Sequence, residues 1–158
     1  VDDSGPPLGP AFMTPCLQTI WRTLWNLNAT LPDDCYECFS PDGGGLDMFP
    51  HYLARKYPDR RFGFISSTQD LVISNFFFSY GFPNCVHPTL FQYPPDVFKT
   101  GVYDLAFRLG PYDNAHAFVI DSTSHVWLYD LAASSNGIRL GDWLRNLIND
   151  TGWRTVLP

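Results

Sequence analysis

The sequence predicts an α/β fold with a mostly parallel sheet, and three observations carry that reading. Two short apolar runs, 62–66 and 115–120, have the length and composition of buried strands, and Val1 opens on what reads as the end of a third. Segments with helical periodicity lie between these strands. With 45% apolar and 16% aromatic residues over 158 positions, the chain has the material for one packed domain.

The elements follow in order. Val1 to Gly5 reads as a strand end entering a turn, and Pro6, Pro7, Gly9 and Pro10 hold the next stretch extended. Thr14-Pro15 is a helix start, with Thr as N-cap and Pro in the first turn. Leu17, Ile20, Trp21, Leu24 and Trp25 give that helix one apolar face, and Leu31-Pro32 ends it. After a loop with Cys35, Cys38 and Gly43-Gly44-Gly45, Asp47 suits the cap of a second helix running to about Tyr57. Beyond the strand at 62–66, Leu71 to Tyr80 reads as a helix stopped by Gly81, although Phe76-Phe77-Phe78 would also suit a strand. Residues 82–93 form a loop. A helix enters through Pro94-Pro95, runs from Asp96 to Leu109 and closes at Gly110. After the strand at 115–120, Gly141 to Asn149 closes the chain as a helix with Trp143, Leu144, Leu147 and Ile148 inward.

The bulk numbers narrow the function. A net charge of −6 leaves no basic stripe to neutralise phosphates, which argues against nucleic acid. No apolar stretch approaches the length of a membrane span. Four cysteines and two Asn-x-Thr sequons, at Asn28 and Asn149, point to a secreted or periplasmic protein with disulfides. The turn at Leu31-Pro32 allows Cys16 to meet Cys35 or Cys38, the expected bridge. Cys35-Tyr36-Glu37-Cys38 alone is weak for zinc, and its loop setting does not suit redox work. Because Val1 is not an initiator Met, the chain is expected to begin inside a longer product.

The chemistry centres on Asp70 and His125. Each follows one of the predicted strands, in the order acid then histidine. That is the back half of a Ser…Asp…His arrangement, in which a carboxylate steadies an imidazole that activates a serine. No Gly-x-Ser-x-Gly turn occurs in the sequence. The nucleophile is therefore expected on a preceding segment or chain, and the three strands are expected to be part of a larger sheet. Asp70 also suits a helix N-cap before Leu71-Val72-Ile73, and Ser124-His125 also suits a surface turn. Ser4 lacks the glycine setting of a nucleophile. His116 is expected to be structural, and neither His51 nor His87 is assigned to catalysis.

Several segments resemble the pectin acetylesterase and Notum family of α/β-hydrolases. They are Asp2-Asp3-Ser4-Gly5, the stretch from Phe62 to Asp70, Ser124-His125 with Asn136-Gly137, and the closing Leu140-Gly141-Asp142-Trp143-Leu144. The helix ending Trp25-Asn26-Leu27-Asn28, with Leu31-Pro32 and Cys35, also fits. The resemblance implies the C-terminal part of an α/β-hydrolase that cleaves carboxylic esters without a cofactor. The substrate would be acetylated polysaccharide or an acylated protein, with Asp70 and His125 as acid and base. Pro6-Pro7-Leu8 is less bulky than an aromatic wall, so an acyl-chain preference does not carry over. A catalytically inactive binding or structural module with the same fold is the alternative, and a peptidase or acyltransferase would use the same three groups.

Overall fold

The computed structural model describes residues 1–78, 85 and 93–158. Helix and strand are mixed around a three-stranded parallel sheet with the order β1 (Asp2–Asp3), β2 (Phe62–Ser67), β3 (Ala115–Ile120). β2 and β3 run in full register from Phe62 opposite Ala115 to Ser67 opposite Ile120. The outer side of β3 is extended by a parallel bridge to Val156.

Between β1 and β2 lie α1 (Pro15–Leu24) and α2 (Phe49–Lys56). A π-helical turn (Ile73–Phe78) and α3 (Pro95–Leu109) lie between β2 and β3. After β3 come a short antiparallel hairpin, β4 (Ser134–Ser135) and β5 (Ile138–Arg139), and then α4 (Leu140–Asn149). The hairpin was not anticipated as strand. Its turn is Asn136-Gly137, both with positive φ, the pair a tight two-residue hairpin demands.

Side-chain alternation divides the core. Phe64, Ala115, Ala117 and Val119 face one side, where they meet α3 through Phe98, Val102 and Leu105, and α1 through Leu17. Ile65, Phe118 and Ile120 face the other side, against Trp143 of α4, Trp127 and Trp153. Cys35, Cys38 and Tyr52 form a third, smaller cluster.

α1 starts where the sequence places it, with the Thr14 side chain accepting from the Leu17 amide. Its apolar face is narrower than expected, because Leu24 and Trp25 are exposed. The helix instead buries two polar side chains. Gln18 donates to the Met13 carbonyl (2.8 Å) and accepts from the Leu46 amide (2.8 Å). Arg22 donates to the carbonyls of Gly43 (2.9 Å), Gly44 (2.7 Å) and Cys38. α1 thereby holds the 38–46 loop through backbone acceptors that hydrophobic periodicity does not register.

Asp47 does not cap α2. It lies in a 3-10 turn (Leu46–Met48), buried and ion-paired with Arg108 (3.0 Å), so a distant cation takes the carboxylate that a cap would have used. The expected helix from Leu71 is a π-helical turn over its described part. Tyr80, the stop at Gly81 and residues 82–84 and 86–92 of the predicted loop fall outside the described residues. In α4, Trp143 is buried and Leu144 and Leu147 pack against the core, but Ile148 is exposed because it lies round the helix from the sheet.

The cysteines pair as Cys16–Cys85 and Cys35–Cys38, which overturns the expected bridge from Cys16 to the 35–38 loop. Cys35 and Cys38 sit at the two ends of one tight turn (Cα–Cα 5.3 Å) and satisfy each other. Cys16, at the start of α1, is thereby left for Cys85 (Cα–Cα 6.2 Å). Two disulfides point to an oxidising compartment. No helix among the described residues is long and apolar enough to cross a membrane.

Candidate active site

Asp70 and His125 are brought together. Both stand just past the C-terminal ends of adjacent parallel strands, where loops converge in sheets of this kind. The His125 Nδ1 lies 2.9 Å from Asp70 Oδ2. A carboxylate only accepts, so Nδ1 is the nitrogen that donates in this pair.

Asp70 is fully buried, and its two oxygens do different work. Oδ1 accepts from the amides of Val72 and Ile73, both at 2.9 Å, and starts the π-helical turn. Oδ2 faces the imidazole. Asp70 therefore caps the turn with one oxygen and meets the imidazole with the other. Its position is fixed further by the Ser74 hydroxyl, which donates to the Asp70 carbonyl (2.6 Å).

His125 is carried by an irregular loop, yet nearly every residue of that loop is tied to the strands beside it. The Thr68 hydroxyl donates to Asp121 (2.8 Å), the Gln69 amide to the Ser122 carbonyl (3.1 Å) and the Leu71 amide to the Thr123 carbonyl (3.2 Å). The Ser67 hydroxyl donates to the Ser124 carbonyl (2.5 Å) and accepts from the Trp127 indole (3.0 Å). From β1 and its turn, the Ser4 hydroxyl donates to the His125 carbonyl. The Asp3 carboxylate accepts from the amides of Trp127 (2.9 and 3.1 Å) and Leu128 (2.9 Å).

His125, about one-third exposed, opens on a cavity of about 430 Å³. Asp2, Asp3, Ser4 and Gly5 line one side of it, and Trp21, Trp25, Ile73, Phe77 and Phe78 the other. A second cavity of about 300 Å³ shares Asp2, Gly5, Trp21 and Trp25 and continues toward Leu31, Leu46 and Phe49. The aromatic wall absent from Pro6-Pro7-Leu8 comes instead from two other elements. Trp21 and Trp25 of α1 meet Phe77 and Phe78 of the π-helical turn, with ring centroids 5.6–6.3 Å apart. Burial raises the Asp2 carboxyl above the usual carboxylate range, with Asp3 adding to the shift and the Gly5 amide opposing it.

Among the described residues, no hydroxyl or thiol bonds Nε2 of His125. Ser4 is buried, and its single proton is shared between the His125 carbonyl and Asp3 Oδ1 (3.1 Å), so it is not poised as a nucleophile. All four cysteines are in disulfides. His87 lies outside the described residues, and the other two histidines pack elsewhere. His116 packs edge-on against Trp153 (4.6 Å), and His51 lies 3.3 Å from Arg108 in the Asp47–Arg108–Asp104 cluster. The described residues hold no group of side chains suited to a metal ion.

Sequence reasoning missed Asp3, Ser4, Ser67 and the aromatic wall. Asp3 and Ser4 stand out only as polar residues at a strand end, and their partners lie more than 120 positions away. The chain matches no family model, no curated protein and no solved structure.

Proposed function

We propose that this chain supplies the acid and the base of a serine carboxylic-ester hydrolase, with the nucleophilic serine on a preceding segment or a partner chain. The observation that carries the reading is the 2.9 Å pair of a buried carboxylate and a half-buried imidazole, opening on an aromatic cavity past two parallel strands.

The roles follow from the proton positions. Nε2 of His125 takes the serine proton as the hydroxyl attacks the ester carbonyl, and Asp70 stabilises the imidazolium that forms. The imidazolium then protonates the departing alcohol. Water then attacks the acyl-serine carbonyl and gives a proton to Nε2, which passes it to the serine oxygen as the carboxylic acid leaves. The acyl or alcohol part of the substrate lies against Trp21, Trp25 and Phe77, and acetylated polysaccharide is one substrate of this class. No cofactor takes part in this scheme. The missing segment would pair along the free side of β1, completing the sheet and bringing the serine and an oxyanion-binding amide to His125. The whole is read as the C-terminal portion of an α/β-hydrolase in a secreted protein.

The test is hydrolysis of p-nitrophenyl acetate by the complete protein. His125→Ala should lower turnover by about 10³-fold or more while the melting temperature stays within a few degrees, and Asp70→Asn should lose about 10³–10⁴-fold. An active parent that keeps full activity as His125→Ala overturns the reading.

A further inference from the structure

We propose that Asp3 and Ser4 are positioning residues, a latch from β1 that holds the histidine loop so that the His125 imidazole meets Asp70. The catalytic consequence rests on the hydrolase reading, whereas the geometric one does not.

The argument starts from the loop. Residues 121–128 form no helix or strand, so no regular element fixes the angle at which His125 leaves the backbone. Before His125, the carbonyls of Ser122, Thr123 and Ser124 are held by the segment that continues β2. These bonds alone would leave the far side of the loop as a free lever. After His125, the loop backbone is tied to the sheet by β1 and its turn, while the Trp127 indole reaches Ser67 of β2. Ser4 takes the carbonyl of His125 itself, and the Asp3 carboxylate gathers the amides two and three residues later. The backbone around the imidazole is therefore braced from β2 before His125 and from β1 at and after it.

The chemistry of the two residues suits the task. A carboxylate receiving converging backbone N–H groups forms charge-assisted bonds, stronger and more directional than a neutral acceptor would make. Ser4 is buried and has φ of 75°, a conformation glycine adopts without strain. Glycine would have no hydroxyl to give. The Ser4 amide continues the ladder to the Ile65 carbonyl (2.8 Å), so one residue anchors to β2 through its backbone and to the histidine loop through its side chain. A simple turn needs neither the distant carbonyl nor the two distant amides.

The experiment compares Ser4→Gly, Ser4→Ala and Asp3→Asn in the complete protein. Ser4→Gly removes the hydroxyl and relieves the backbone, whereas Ser4→Ala removes only the hydroxyl. The first readout is the strongly downfield proton NMR signal of a hydrogen-bonded Nδ1–H, assigned with ¹⁵N-labelled histidine. The second is the split between kcat and KM for p-nitrophenyl acetate. Loss or broadening of the signal in variants that melt cooperatively, with kcat down about 10–100-fold and KM within threefold, is expected. Loss of the signal supports the latch even if the parent cleaves no ester, in which case the hydrolase reading alone falls. A signal and kcat unchanged in both Ser4 variants overturn it, as does a parent with no such signal. Should Asp3→Asn fail to fold, the Ser4 pair decides.

Discussion

Asp70 shows how one side chain can satisfy two readings that compete in the sequence. A cap and a triad acid both call for aspartate after a strand, and the two oxygens divide the work between the Val72 and Ile73 amides and the imidazole. Asp70 and His125 were legible because each follows an apolar run, and adjacent parallel strands put such positions side by side. The roles of Asp3 and Ser4 were not legible, because a bond to Trp127 or His125 has no local trace. Buried His51 and half-buried His116 lead to a pH prediction. Burial lowers the affinity of His51 for a proton, and the neighbouring Arg108 lowers it further against the opposing pull of Asp47 and Asp104. Burial likewise lowers that of His116, with Asp113 pulling the other way. The unfolded chain therefore takes up protons first as the pH falls below about 6.5, and the fold loses stability through that window and down to the depressed folded values. Melting temperatures between pH 7.5 and 5 should fall, with a shallower slope in His51→Gln/His116→Gln. An equal slope in the parent and the double variant contradicts this account.

At the scale of elements, the strands and most helix starts could be read from periodicity and proline, as at Thr14-Pro15 and Pro94-Pro95. What could not be read was set by partners distant in sequence. The Cys16–Cys85 bridge spans 69 positions and depends on where the chain after the π-helical turn returns to α1. Asp47 was lost as a cap to Arg108 of α3. The aromatic run at 76–78 fits helix or strand equally by pattern. A π-helical turn, often found at functional sites, directs Phe77 and Phe78 toward α1. The seating of α4 on β2 is tight at Gly63, where a Cβ would come within 2.8 Å of Leu147 and 2.9 Å of Trp143. The tip of Leu147 can move. Trp143 is buried, and its indole donates to the Arg154 carbonyl (2.7 Å), so it cannot easily yield. Gly63→Ala should therefore cost about 2 kcal/mol, or roughly 4–8 °C in melting temperature. An unchanged melting temperature would mean that α4 is not packed there.

At the scale of the whole molecule, the two outer strands of the sheet differ in what the described residues place beside them. The outer side of β3 is met by Val156, with the Val119 amide donating to its carbonyl (2.9 Å). Among the described residues β1 pairs only with β2, and the candidate site opens beside β1. The proposed serine-bearing segment would have to reach the aromatic cavity and His125 from the side of β1. The sequence hinted at this through the absence of a Gly-x-Ser-x-Gly turn. It could not show that Ser4, which lines the cavity with His125, is already engaged with the His125 carbonyl.

The central claim, that His125 activates a serine lying outside residues 1–158, is tested most directly by fluorophosphonate labelling of the complete protein, followed by peptide mapping. The label should fall on one serine outside this chain and be reduced by about 10²-fold or more in His125→Ala. A label on Ser4 or any other serine of this chain, or labelling undiminished by His125→Ala, would contradict the account.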